Sequence, residues 1–378
     1  MYRPAPQTGF RQALLKITIF GLTLSSSWGN GHATPYRAIL RALARRGMRV
    51  SFYEKDVPYY ARHRDFASCD YCDLRLYSHW SEVRARAMAE ACDSDIVITA
   101  SYCPEGARIN DDVLELAAPL RCFYDLDTPI TLNHLGHMPL DYVRPEQIPE
   151  FDLYLSFAGG DVLTELERTH GARMARALYG CVDPDEHHRV PRDPNFACAL
   201  SYLGTFAADR QHKVDELFLE PACRRGDLQF ILAGALYPCE WTWPENVRRI
   251  EHLASGQHPA LYCSSRATLN LTRSAMAASG YCPSGRFFEA AACGCPILTD
   301  GWRGLDTFFD PERELCIVRD AADVFACLDG GHRELEERAE TARRRTLDEH
   351  TGERRAKQLL SYCEEAYRHK QATAEAAA

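Results

Sequence analysis

Short runs of β-favouring apolar residues recur along this chain, and helical stretches stand between most of them. Residues 16–24 read as a strand and residues 36–46 as a helix, with Ile39, Leu40 and Leu43 on one face and Gly47 as its stop. Residues 48–53, 95–100, 120–125, 152–157 and 176–179 are further strands, and residues 80–92 and 161–170 are helical. A polar, proline-containing stretch at 183–195 breaks the alternation and is the best linker. The pattern then restarts, with strands at 197–203, 228–232, 248–252, 268–271, 296–299 and 315–318 and a helix at 209–219. The last ~45 residues have helix-forming composition. Strand–helix alternation specifies parallel sheets covered by helices on both faces. The chain is therefore expected to form two doubly wound α/β domains in tandem. Sheets of this kind bind ligands beyond the carboxyl ends of their strands, so the expected site is the cleft between the domains.

Composition narrows the partners. Lys and Arg number 44 against 53 Asp and Glu, a net charge of −9, with no basic block. This argues against a nucleic-acid partner. No run approaches the ~20 apolar residues of a membrane helix. The apolar run at 13–24 is interrupted by Lys16 and is expected to be a first strand behind a short ragged tail rather than a cleaved leader. The 16 cysteines are expected to be reduced, small packing residues in a cytoplasmic protein. Cys69 and Cys72 have metal-like spacing but no second matching pair, so an incidental role is expected.

The loops after strands hold the chemistry-bearing residues. The first contains Trp28, Gly29, Asn30, Gly31 and His32 before a helix, an arrangement suited to an anion or polar ligand. It is a poor dinucleotide fingerprint, because Thr34 replaces the third glycine. Glu54 nevertheless ends the next strand, so a nicotinamide-dependent oxidoreductase using Gly29, Gly31 and Glu54 stays open. Asp125 and Asp127 alternate at the end of another strand, where one could keep a raised pKa and act as a base or where both could serve a turn. Gly159 and Gly160 suggest close approach of a ligand or of the other domain, or a plain turn. In the second half, Gly204, Thr205 and Arg210 could receive a phosphate. Residues 281–300 say most. Ser284 caps a helix whose first turn holds Gly285, and Arg286 and Glu289 share one face, a cation for diphosphate and an anion for ribose hydroxyls.

The segment PSGRFFEAAACGCPILTD, residues 283–300, resembles the donor-binding signature of two-domain GT-B fold glycosyltransferases, and more closely the branch related to the spore-maturation protein CgeB. SSWGNGHATPYRAILRAL, YDLDTPITL, SYLGTFAADRQ and TLNLTR are similar to members of that branch too. The resemblance spans residues 16–320, specifically in the second domain and loosely in the first. It implies two Rossmann-like domains facing across a cleft: an acceptor domain at 1–183, a nucleotide-sugar donor domain at 197–345, and a C-terminal helix and tail at 346–378 crossing back to the first.

By this resemblance Glu289 binds the donor ribose and Arg286 contacts diphosphate, helped by Gly204, Thr205, Arg210 and Ser284, with Asn270 and Arg273 facing the same pocket. Asp127 and His32 are the catalytic candidates, and Trp28, Asn30 and Gly31 face the acceptor. The implied reaction moves a sugar from a nucleoside diphosphate, with uridine favoured, to an unknown small-molecule, glycan or protein acceptor. No cofactor and no metal are expected. One departure concerns Tyr281, which stands where many retaining relatives carry a sugar-contacting Glu. A non-catalytic sugar-nucleotide sensor of the same fold is the other alternative.

Overall fold

The computed structural model describes residues 14–135 and 137–377; the ragged tail expected before the first strand lies almost wholly outside them. Seven parallel strands form the first sheet: β1 (Lys16–Gly21), β2 (Arg49–Lys55), β3 (Asp73–Tyr77), β4 (Ile96–Ala100), β5 (Leu120–Asp125), β6 (Leu153–Ser156) and β7 (Ala175–Ala177), in the order 3-2-1-4-5-6-7. Six form the second: β8 (Cys198–Leu203), β9 (Phe230–Ala233), β10 (Val247–Ile250), β11 (Ser265–Asn270), β12 (Ile297–Thr299) and β13 (Cys316–Ile317), in the order 10-9-8-11-12-13. Strands β4, β6, β9 and β12 are buried along their whole length. This follows from sheets covered on both faces, whose strands read as continuous apolar runs.

Each sheet has one point where the strand order reverses, between β1 and β4 and between β8 and β11. The loops leaving these strands diverge, and the gap between them is where doubly wound sheets hold ligands. The sequence reading missed β3, an edge strand whose residues DLRLY mix charge with leucine and are only half-covered. The helix expected at 209–219 runs on to Arg224 through a π turn at Asp215–Leu219. The C-terminal helix expected within 346–378 runs over Gly352–Ala377, so the helix takes up nearly all of the expected tail.

The chain passes between the two sheets twice, and the two passages are tied together. Val182 and Thr351 form a parallel bridge, with Val182 N–H donating to His350 (3.0 Å) and Gly352 N–H donating to Val182 (2.8 Å). The C-terminal helix then joins the core of the first half through Ala356, Leu359, Leu360, Cys363 and Ala366. It packs on the helix Ala33–Arg45 so closely that a Cβ on Gly352 would lie 2.3 Å from the Ala38 carbonyl oxygen.

Gly352→Ala is therefore expected to destabilise the protein by about 1–3 kcal/mol through overpacking, although alanine is the better helix former. Urea denaturation of the two proteins measures it; an unchanged or raised midpoint would show that the helices part without cost.

Candidate active site

A cleft of about 460 Å³ opens between the carboxyl ends of the two sheets. Loops from both switch points line it: the turn after β1, Tyr102 after β4, Gly204 and Thr205 after β8, and residues 271–273 after β11. A second cavity, of about 520 Å³, lies at the opposite edge of the second sheet, where β11 and β12 begin. By the geometry of such sheets the first is the candidate site.

On the second-half wall, close backbone approach sets the geometry. A Cβ on Gly234 would lie 1.9 Å from the Gly204 carbonyl oxygen, and one on Gly204 would meet the Arg286 guanidinium at 2.4 Å. With hydrogen at both positions, Arg286 reaches from the helix Gly285–Ala292 across to the end of β8, where Nη1 donates to the Leu203 carbonyl. Ser284 caps that helix, its hydroxyl accepting from Arg286 N–H (3.4 Å) and Arg286 Nε (3.1 Å). Arg210 is buried and donates to the Thr205 carbonyl. Arg273 bonds Asp209 at 3.3 Å, and its turn is pinned by Asp300, which accepts from Thr272 N–H (3.0 Å) and Lys213 (2.5 Å). Burial lowers the Arg210 pKa, and the positive charges of Arg286 and Arg273 lower it further. Three guanidiniums thus gather on one wall of the cleft. Gly204, Thr205, Arg210, Arg273, Ser284, Arg286 and Glu289 all line it. Asn270 does not; it is buried at the end of β11, with neither side-chain polar atom partnered.

Arg286 and Glu289 share a helix face but form no ion pair. Glu289 instead faces two histidines that the sequence reading missed. Its Oε2 lies 3.2 Å from His258 Nδ1 and 3.9 Å from His187 Nε2. Burial alone would raise the Glu289 pKa, but the His258 bond and the charges of His187, His258 and Arg286 outweigh it and hold the pKa down at about 2. His187 is itself buried, which pushes its pKa down. His187 stands in the polar stretch after β7 and His258 opens a short helix, so no periodicity or motif marked either one.

On the facing wall, Glu54 corrects the oxidoreductase alternative. Its buried carboxylate accepts from Leu24 N–H (2.7 Å), Ser25 N–H (2.9 Å), the Thr23 hydroxyl (2.9 Å) and the Ser25 hydroxyl (2.5 Å). The acid that would hold a ribose in a dinucleotide fold is consumed in shaping the loop after β1. That loop presents Gly31, His32 and Asn30 to the cleft, with Asn30 Oδ1 accepting from His32 N–H (3.0 Å). Trp28 departs from the acceptor role expected for it: it lies outside the cleft lining, stacked on His63 (3.6 Å between centroids) and against His252 of the second half. His32 Nε2 stands 3.6 Å from Asp127 Oδ2, both side chains about one-fifth exposed.

The two aspartates separate as burial dictates. Asp125 is fully buried, accepting from the Tyr154 hydroxyl (2.8 Å), the Thr131 hydroxyl (3.0 Å) and Asp127 N–H (3.2 Å), while Asp127 lines the cleft. The raised pKa therefore belongs to the member that cannot meet a ligand. Tyr281 also stands away from the cleft lining: its carbonyl accepts from Gly159 N–H (3.0 Å) and its ring fills the space beside Gly160, so that glycine pair serves domain approach. Cys69 and Cys72 stay as thiols with Sγ atoms 3.3 Å apart.

Burial raises the Asp125 pKa from 3.8 to about 6 against the bonds that lower it. The folded state then binds the proton more tightly than the unfolded chain, so this group's stability contribution is full below pH ~4 and lost as pH rises through ~6. At ~1.4 kcal/mol per unit the loss is on the order of 3 kcal/mol. Asp125→Asn removes that slope, so the variant should gain on the parent between pH 4 and 6.5 in urea denaturation. A constant difference across that range would refute the assignment.

Comparison with known proteins agrees with this geometry. Residues 210–361 match a family model described as glycosyl transferase-like. The chain is similar in structure to the sucrose-phosphate synthase of Thermosynechococcus elongatus (TM-score 0.62, 13% identity, covering 95% of this chain and 100% of that one). It is similar also to an alpha-glucosyltransferase in complex with UDP-glucose and DNA containing an abasic site (TM-score 0.69, 12% identity, 93% and 100%). A third is Anabaena HepE in complex with UDP-glucose (TM-score 0.62, 10% identity, 92% and 99%). No curated protein matched in a sequence search. Two parallel Rossmann-like sheets facing across a cleft, with these neighbours, give the chain the GT-B fold of glycosyltransferases, and residues 210–361 carry its glycosyl transferase-like segment.

Proposed function

We propose that the protein is a glycosyltransferase that moves a sugar from a UDP-sugar to an acceptor hydroxyl, with donor held by the second half and acceptor by the first. The observation that carries this reading is the wall of three arginines beside the Ser284-capped helix, with ionised Glu289 on the same helix and Asp127 and His32 opposite. Cations gathered beside a helix N-terminus suit a diphosphate and stabilise the charge that develops on it as the sugar departs. Glu289 accepts from ribose hydroxyls, and His258 holds its carboxylate in place. Two of the structural neighbours hold UDP-glucose, which supports uridine as the base.

In the reaction, the acceptor oxygen bonds to the anomeric carbon, the bond from that carbon to the phosphate oxygen breaks, and its electron pair leaves with UDP. The acceptor proton is held by the Asp127–His32 pair, whose atoms stand on the acceptor side of the cleft. Asn30 and Gly31 border the acceptor space. The CgeB-related branch, the domain limits at 183 and 197, and action in the cytoplasm on a small-molecule, glycan or protein acceptor belong to the same proposal. Among the described residues no helix is long and apolar enough to cross a membrane.

Two measurements test the assignments. Calorimetric titration should show UDP bound by the parent and about ten- to a hundredfold more weakly by Glu289→Ala, the effect of losing hydrogen bonds to a charged group. A parent that binds no nucleoside diphosphate would sink the proposal. Asp127→Asn should retain UDP binding while transfer slows by about 10²–10⁴-fold, the range for loss of an acid–base group. Transfer at the parent rate would remove Asp127 from the chemistry.

A further inference from the structure

His187, His258 and Glu289 come from three separate parts of the chain: the polar stretch after β7, the helix His258–Ser264 and the Ser284-capped helix. One ligand atom from each lies within 4.8 Å of the others. Both ring nitrogens of His187 are buried without a hydrogen-bond partner, although the side chain is only 4% exposed. Burying an unpaired imidazole is costly, and native proteins rarely leave such a group without a role.

The second histidine sharpens the problem. His258 Nε2 lies 3.3 Å from the Leu253 carbonyl oxygen. A carbonyl only accepts, so this bond assigns the ring proton to Nε2. Nδ1 then turns toward Glu289 Oε2 at 3.2 Å, where a bare lone pair would face a carboxylate. A proton on Nδ1 or a metal ion between the two atoms satisfies that contact. An imidazole whose other nitrogen donates to a backbone carbonyl is the usual orientation of a metal-ligating histidine.

We propose that His187, His258 and Glu289 form a binding site for a divalent transition ion of the zinc class, supplying two imidazole nitrogens and one carboxylate oxygen. Neighbouring ligand atoms in a tetrahedral zinc site stand about 3.3 Å apart; the contacts of 3.2 and 3.9 Å to Glu289 Oε2 lie near that spacing, and the two imidazole nitrogens, within 4.8 Å of each other, draw together on the ion. His258 and Glu289 line the cleft while His187 stands behind them, so the remaining coordination position faces the cleft. Three protein ligands with one open position is the arrangement of an accessible zinc site. The ion takes the lone pair that Glu289 would offer a ribose hydroxyl. Resting on the donor reading above, occupancy therefore weakens UDP binding, and the ion acts as an inhibitor at the donor pocket.

The test uses the full chain, stripped of metal with a chelator, in a Cys69→Ser/Cys72→Ser background so that the thiol pair contributes no signal. Calorimetry with zinc chloride should show one ion bound, at least tenfold more weakly in both His187→Ala and His258→Ala. Cobalt(II) should give visible d–d bands that both variants lose, and circular dichroism checks that each variant is folded. UDP affinity should fall when zinc is added to the two-serine protein, while the His187→Ala protein shows the same affinity with and without zinc. Zinc affinity unaltered in the two variants would overturn the site, and zinc binding that leaves UDP affinity unchanged would overturn its coupling to the donor pocket. A protein that binds zinc through these residues but never binds UDP would keep the metal site and discard the donor reading.

Discussion

One buried guanidinium holds the place on which the arrangement of the two sheets depends. Arg355 is 2% exposed and sits where the chain crosses between the halves. Its Nε donates to the carbonyls of Tyr179 (3.1 Å) and Gly180 (3.2 Å), on the outgoing passage. Its remaining nitrogens reach the Glu349 carbonyl (3.2 Å), Gln358 (3.0 Å) and His350 Nδ1 (2.9 Å), on the return. Burial pulls the pKa of this arginine down, and burial, helped by the neighbouring arginine charge, pushes the His350 pKa down to about 3. A cation surrounded by carbonyl dipoles rather than by a carboxylate fixes both strands of the crossing at once. The separation and facing of the two switch points follow from that crossing.

Within the cleft, opposite requirements are met by opposite walls. The second half collects guanidiniums and leaves them short of carboxylates, while the first half brings an aspartate and a histidine near each other. Backbone packing makes the first wall possible: only glycine at 204 and 234 lets the Arg286 side chain lie across the end of β8. Glu54 makes the second possible, because its four hydrogen bonds fold the loop after β1 into the shape that carries His32. Electrostatics in this protein is therefore arranged by close packing and by buried acids that never meet a ligand.

Much of the fold was legible because the local signals agreed with the tertiary outcome. Leu120–Asp125 and Trp80–Cys92 have the extents read from their patterns, the first a strand buried at all but one position and the second a helix with no internal breaker. β3 was illegible because an edge strand carries charge that a central strand would exclude. In the cleft, Ser284, Arg286 and Glu289 were readable because cap, cation and anion lie within one helical turn or two. His187 and His258 were not, since neither sits at a recognisable spacing and only the tertiary fold brings them to Glu289. Asp125 and Asp127 were seen as a pair, but the strand's end decides which is inside, and that depends on Tyr154 and Thr131 arriving from elsewhere.

The glycine pair between β6 and the helix Asp161–Arg168 has a consequence for how this sequence can drift. A Cβ at Gly159 would stand 2.0 Å from the Tyr179 hydroxyl, and one at Gly160, whose φ is +66°, would stand 2.4 Å from the Tyr281 ring. Both rings belong to the seam between the halves rather than to the cleft. Any side chain at either position would press as a wedge into the seam between the halves. The two glycines therefore constrain the sequence at the seam although neither lines the cleft.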